Sequence, residues 1–161
     1  MRPSPLRNRV DPFAALHAVE ARGTLMGNRG GRIHDPATKT IRRRQASRAW
    51  IACVLAFKDR RREVMGPGYT ELFFLDEAVA LAAGHRPCFE CRRAEARAFA
   101  AAWAEGHGLP APPRAPEMDP VLAAERRAPP PRRAASALPP GAVFARTGGA
   151  WLRGPDHVRA W

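Results

Sequence analysis

The spacing of apolar positions changes along the chain, and the change separates strands from helices. In "AWIACVLAF" (49–57) Trp50, Ala52, Val54 and Ala56 alternate with Ile51, Cys53, Leu55 and Phe57. Both faces are apolar, so the segment reads as a buried strand. Lys58-Asp59-Arg60-Arg61 then reads as a turn into a second, more polar strand over 62–65. "GPG" (66–68) interrupts the pattern, and "YTELFFL" (69–75) resumes as a strand. Asp76 is suited to cap "EAVALAA", because its short carboxylate can accept from the free amides of a first helical turn, and Gly84 stops that helix. "RRAEARAFAAAWAEGHG" (92–108) has helical spacing, with Phe99 and Trp103 four apart on one face. Upstream, "GTLMGNRGGRIH" (23–34) reads as a short strand broken by Gly27, Gly30 and Gly31, followed by a polar, basic loop over 38–48. Near the C-terminus, "GAVFARTGGAWLRG" (141–154) predicts a β-hairpin turning at Thr147-Gly148-Gly149.

These elements divide the chain into four stretches. Residues 1–22 form an irregular basic arm, and 23–108 a compact module. Residues 109–140 are a Pro/Arg-rich linker, and 141–161 a hairpin appendage. The linker follows from "LPAPPRAP", "APPPRR" and "LPPGA", where ring-constrained residues without an amide proton resist both helix and sheet. The expected fold class is a small α+β module with a short antiparallel sheet and two helices.

Composition adds a partner class. The formal net charge is +12, nearly all of it arginine, since Lys39 and Lys58 are the only lysines. Such a charge favours polyanionic partners. The candidate backbone-contacting residues are Arg42, Arg43, Arg44, Arg48, Arg86, Arg92 and Arg93. The competing reading is a solvated basic face. No apolar run approaches the ~18 residues of a membrane span, and the N-terminus lacks a signal-peptide core. No membrane role and a cytoplasmic location are therefore expected.

Three cysteines cannot all pair with one another, and Cys88 and Cys91 stand in "RPCFECRR" at CxxC spacing. Two thiolates from one tight turn can share a zinc ion, and Arg86, Arg92 and Arg93 beside them favour the ionised form. A redox dithiol is the rival reading, but the flanking elements do not make a thioredoxin-like βαβ unit.

"FFLDEAVALAAGHRPCFECRR" resembles the second half of the metal-binding domain of Ada-type DNA-repair methyltransferases, and of the Ada-like zinc modules found beside nucleases. In that pattern an aromatic strand and a short helix precede Gly-x-Arg-Pro-Cys-x-x-Cys. His85 stands here where the family has an aromatic residue, and Arg92-Arg93 replace a basic-proline ending. The resemblance implies an earlier ligand pair after a Gly-Asn dipeptide. Gly27-Asn28 leads into "RIHDPAT", where His34 takes the first ligand position and Thr38 stands at the second. Threonine is a poor zinc ligand, and Cys53 makes up the deficit. The expected site is thus His34, Cys53, Cys88 and Cys91 around Zn²⁺, a closed and structural Cys3His set. Competing readings make Cys53 a small buried hydrophobe, His34 an ordinary surface histidine, and His85 the fourth ligand.

The resemblance also implies contact with DNA, and transfer of a methyl group to a zinc-bound thiolate. The acceptor position corresponds to His34, and the fused Pro-Cys-His-Arg methyltransferase domain is absent, so methyl transfer is the least favoured reading. Glu63, Glu71, Asp76 and Glu77 have no paired spacing for acid–base chemistry; Tyr69 and Glu71 are the nearest candidates for an unrecognised active site. The reading adopted is a non-enzymatic zinc-binding protein that contacts DNA or RNA backbone through arginines. The alternative is a zinc-stabilised adapter that docks another protein.

Overall fold

The computed structural model describes residues 5–161, so residues 1–4 of the expected basic arm lie outside the described residues. Residues 5–22 of that arm are irregular apart from two short strands. These are β1 (Arg9–Val10) and β2 (Leu16–His17), an antiparallel pair closed by Asp11, whose carboxylate accepts from the Phe13 and Ala15 amides. Next come β3 (Leu25–Arg29), β4 (Trp50–Cys53), β5 (Leu72–Phe74), α1 (Glu77–Ala82) and β6 (Arg86–Pro87). Two longer helices follow, α2 (Arg93–Gly106) and α3 (Ala115–Glu125). A one-turn 3-10 helix (Ala135–Ala137) then leads into β7 (Val143–Arg146), β8 (Gly149–Arg153) and β9 (Val158–Ala160).

The architecture is α+β, with a mixed rather than antiparallel main sheet. Its strand order is β2-β1-β5-β3-β4-β6, where β1 runs parallel to β5 and β4 parallel to β6. The core lies between this sheet and α1, and consists of Val10, Ala52, Leu72, Phe74, Val79, Ala80 and Ala83. Gly27 does not break β3; it lets β4 approach. A Cβ built there would lie 2.1 Å from the Ile51 carbonyl oxygen, inside any allowed contact. The chain turns instead at Gly30 and Gly31, both with positive φ, and Asn28 Oδ1 accepts from the Gly30 amide. The second strand expected at 62–65 does not form, and residues 54–71 make a long loop.

Asp76 caps α1 as expected, its side chain accepting from the Val79 amide, and Gly84 follows at φ 81°. The buried face of α2 is made of Ala96, Ala100 and Ala104, so this helix packs close. Phe99 and Trp103 pack on each other beside that face, and Trp103 stacks on the exposed His107. The proline-rich stretch contains α3, which the local composition did not predict. Pro116 falls in the first turn, where its missing amide costs nothing, and the Glu117 carboxylate accepts from the Arg114 amide. Met118 is fully buried, and Asp119 forms a bidentate pair with Arg86 on β6. Tertiary contacts therefore hold a helix that propensity disfavours.

The C-terminal hairpin forms with Thr147 and Gly148 both at positive φ, the two-residue turn whose twist matches its strands. β9 adds a third strand and completes a separate sheet. No helix among the described residues is long and apolar enough to cross a membrane.

Candidate metal centre

Backbone register brings the cysteines together. β4 ends at Cys53, and β6 lies beside it with Ile51 opposite Arg86 and Ala52 opposite Pro87. One further ladder bond, from the Cys88 amide to the Ala52 carbonyl, sets Cys88 next to Cys53. The chain then turns tightly: the Arg92 amide bonds the Cys88 carbonyl and the Glu90 amide donates to Cys88 Sγ at 3.4 Å. This turn returns Cys91 to the other two at the entrance of α2. The Sγ atoms of Cys53, Cys88 and Cys91 all lie within 4.8 Å of one another. Thiolates sharing one ion tetrahedrally at ~2.3 Å stand roughly 3.8 Å apart, so the sulfurs need move little to meet around one.

The three thiols differ electrically. The Cys53 thiol donates to Cys88, which raises its own pKa, and burial raises it further. The Cys88 thiol is lowered by that same bond, with help from the Cys91 and Glu90 amides. Burial raises Cys91, against a hydrogen bond from the Val54 amide. The protein thus gathers backbone dipoles around sulfur, the arrangement that offsets thiolate charge around a cation. A soft, thiolate-rich donor set of this kind suits zinc.

Among the described residues the group holds three donors, and His34 is not one of them. His34 is buried with both ring nitrogens engaged: Nδ1 meets Thr70 Oγ1 at 2.5 Å and Nε2 meets the Gly66 carbonyl at 2.9 Å. It serves as a clasp between the 31–41 loop and the 66–70 turn. His85 is not in the group either. Its ring packs between Trp50 and Phe74, and its Nε2 faces Arg29 Nε at 3.4 Å. It fills the place of an aromatic packing residue. Of the four ligands expected from the sequence, the three cysteines come together and His34 does not join them.

The cysteines line a cavity of about 380 Å³. One wall is apolar, with Met26, Ile51, Leu55 and Phe73. The rest carries Arg60, Arg61, Arg62, Tyr69, Glu71 and Glu90. Arg60 forms a bidentate pair with Glu90, and the Arg62 guanidinium lies over the Tyr69 ring. Glu71 is buried, and its Oε2 accepts from the Met65 amide at 2.7 Å. The 58–71 loop had no recognisable motif; Tyr69 and Glu71 were its only chemical signal.

The candidate nucleic-acid arginines fall into two groups. Arg86 and Arg92 are buried: Arg86 pairs with Asp119, and Arg92 pairs with Glu77 on α1. Arg86 braces α3 against the sheet, and Arg92, at the start of α2, ties that helix to α1. Arg42, Arg43, Arg44, Arg48 and Arg93 are exposed. Arg44 lies near Trp50, whose ring is flanked more closely by Arg29 and Arg126. Desolvation, then Arg44 and Arg126, lowers Arg29 to about 10; burial also lowers Arg126 to about 10. No protein-family model, curated protein or solved structure matches the chain.

Proposed function

We propose that this is a zinc protein of Ada-like type whose ion is held by Cys53, Cys88 and Cys91, and whose exposed arginines bind nucleic-acid backbone. The observation that carries the reading is the convergence of every cysteine in the chain on one point, from two strands and a helix entrance. A chain selected only for burial would not bring its three thiols into mutual contact. Support for the polyanion comes from the net charge of +12 and from the exposed Arg43, Arg44 and Arg48, which have no carboxylate within ion-pair distance among the described residues. Phosphates are well matched to such uncompensated charge.

The test has two parts. Zinc bound per chain is measured for Cys53→Ser, Cys88→Ser, Cys91→Ser and His34→Ala. Each cysteine variant should lose most zinc affinity while His34→Ala keeps it; retention in Cys53→Ser would sink the three-thiolate site. Binding to short duplex DNA and single-stranded RNA is then followed against salt. Replacing Arg42, Arg43, Arg44 and Arg48 by Ala should flatten the log K against log[salt] line by up to roughly 0.9 for each phosphate no longer neutralised. Binding that ignores salt would reject the electrostatic interface.

A further inference from the structure

We infer that the metal held by the three cysteines takes its remaining ligand from the adjoining cavity, and that the cavity is built for a small anionic molecule that reaches the metal. The inference rests on the three-thiolate reading above and goes beyond it, because it turns a structural ion into a ligand-binding centre. Three observations carry it.

First, the donor count stops at three among the described residues, whereas thiolate-held zinc is ordinarily four-coordinate. Both histidines that the sequence offered are committed elsewhere, His34 to Thr70 and Gly66, and His85 to the core. Second, all three cysteines line one cavity of about 380 Å³, large enough for a molecule of several heavy atoms. A site that was purely a staple would be covered by packed side chains. Third, the charged groups on that cavity do not cancel locally. Arg60 is neutralised by Glu90, but among the described residues Arg61 and Arg62 have no carboxylate within ion-pair distance. Burial keeps the Tyr69 phenol protonated, which leaves it a hydrogen-bond donor beneath Arg62.

Glu71 sets the orientation. It is a buried carboxylate on the same cavity with one backbone amide as its hydrogen-bond donor. An anionic group is repelled there, so it settles towards Arg61 and Arg62, leaving the ligand's metal-binding end at the sulfurs. Apolar side chains, among them Met26, Ile51, Leu55 and Phe73, make up most of the remaining wall, with Asn28 as a neutral polar group. The ligand class is therefore a short molecule with a metal donor at one end and a carboxylate, or an equivalent anion, at the other.

The test uses the whole chain loaded with Co²⁺, whose visible spectrum reports ligand number and type. Two probes share a thiol donor and differ in charge: mercaptoacetate, which is anionic, and 2-mercaptoethanol, which is neutral. Both should change the ligand-field bands saturably, and Arg61→Gln/Arg62→Gln should weaken mercaptoacetate about fivefold relative to 2-mercaptoethanol. The comparison between probes removes any general effect of the variant on folding or metal loading. Bands that ignore both probes would show a closed site and overturn the inference while leaving the metal reading intact. An unchanged ratio in the double variant would overturn the anionic specificity. Absence of sulfur-to-cobalt charge transfer in the unmodified protein would remove the three-thiolate reading itself.

Discussion

His85 shows how one side chain can satisfy a motif position by a different chemistry. Its ring is sealed between Trp50 and Phe74, and burial, then Arg29 and Arg126, push its pKa well below the ordinary 6.5. The folded protein therefore holds a neutral imidazole while the unfolded chain takes up a proton near pH 6.5. Stability from this residue is intact above that value and falls as the pH drops, by up to about 1.4 kcal/mol per pH unit. His85→Phe keeps the aromatic packing and removes the titration. The difference in unfolding free energy between the two proteins should shift in favour of the variant from pH 6.5 to 5, as measured by urea melts. A constant difference would show that His85 takes up its proton without opening the core. The family resemblance marked this position as aromatic, so the packing role was legible; the neutral state was not, because Arg29 and Arg126 come from distant parts of the chain, 56 residues before it and about 40 after it.

At the scale of elements, the sequence was most informative where a local interaction sufficed. Asp76, Gly84 and the Thr147-Gly148 turn act within a few residues, and all appear as expected. The N-terminal strands and α3 were missed because their stabilising partners are remote. β1 pairs with β5, and α3 is fastened by the Arg86–Asp119 pair across 33 residues. Both members of that pair are largely buried, with side-chain exposures of 7% and 13%. Asp119→Ala would leave a buried guanidinium without its partner, a loss of roughly 3–5 kcal/mol. Chemical denaturation should show the drop. A change under about 1 kcal/mol would mean that Arg86 finds solvent or another acceptor, and that α3 is only loosely attached.

The whole molecule has a modest core for its length, drawn from one face of a small sheet and a six-residue helix. The cysteines join β4 to β6 and α2, which come from a separate part of the chain, so a bound ion should contribute to global stability rather than only to a local turn. At free zinc about a thousand times its Kd, the linkage is roughly 4 kcal/mol, or on the order of 10 °C in melting temperature. Scanning calorimetry of zinc-loaded protein with and without a strong chelator measures this directly; matching transitions would mean that the fold does not depend on the ion.

The family resemblance brought Cys53 into the expected site; pattern and spacing by themselves determined the α+β class, the helix after Asp76, the long helix after the knuckle, the C-terminal hairpin, and the thiol pair of Cys88 and Cys91. These depend on periodicity, on caps, and on the pairing of two cysteines three residues apart, all of which are written in contiguous residues. Only the tertiary structure decided that His34 serves a loop, that Arg86 and Arg92 are internal braces, and that the sulfurs border a cavity. Those outcomes turn on which groups from distant segments meet first. A buried donor or charge takes the nearest partner that offsets its desolvation, and no local pattern records who that partner is.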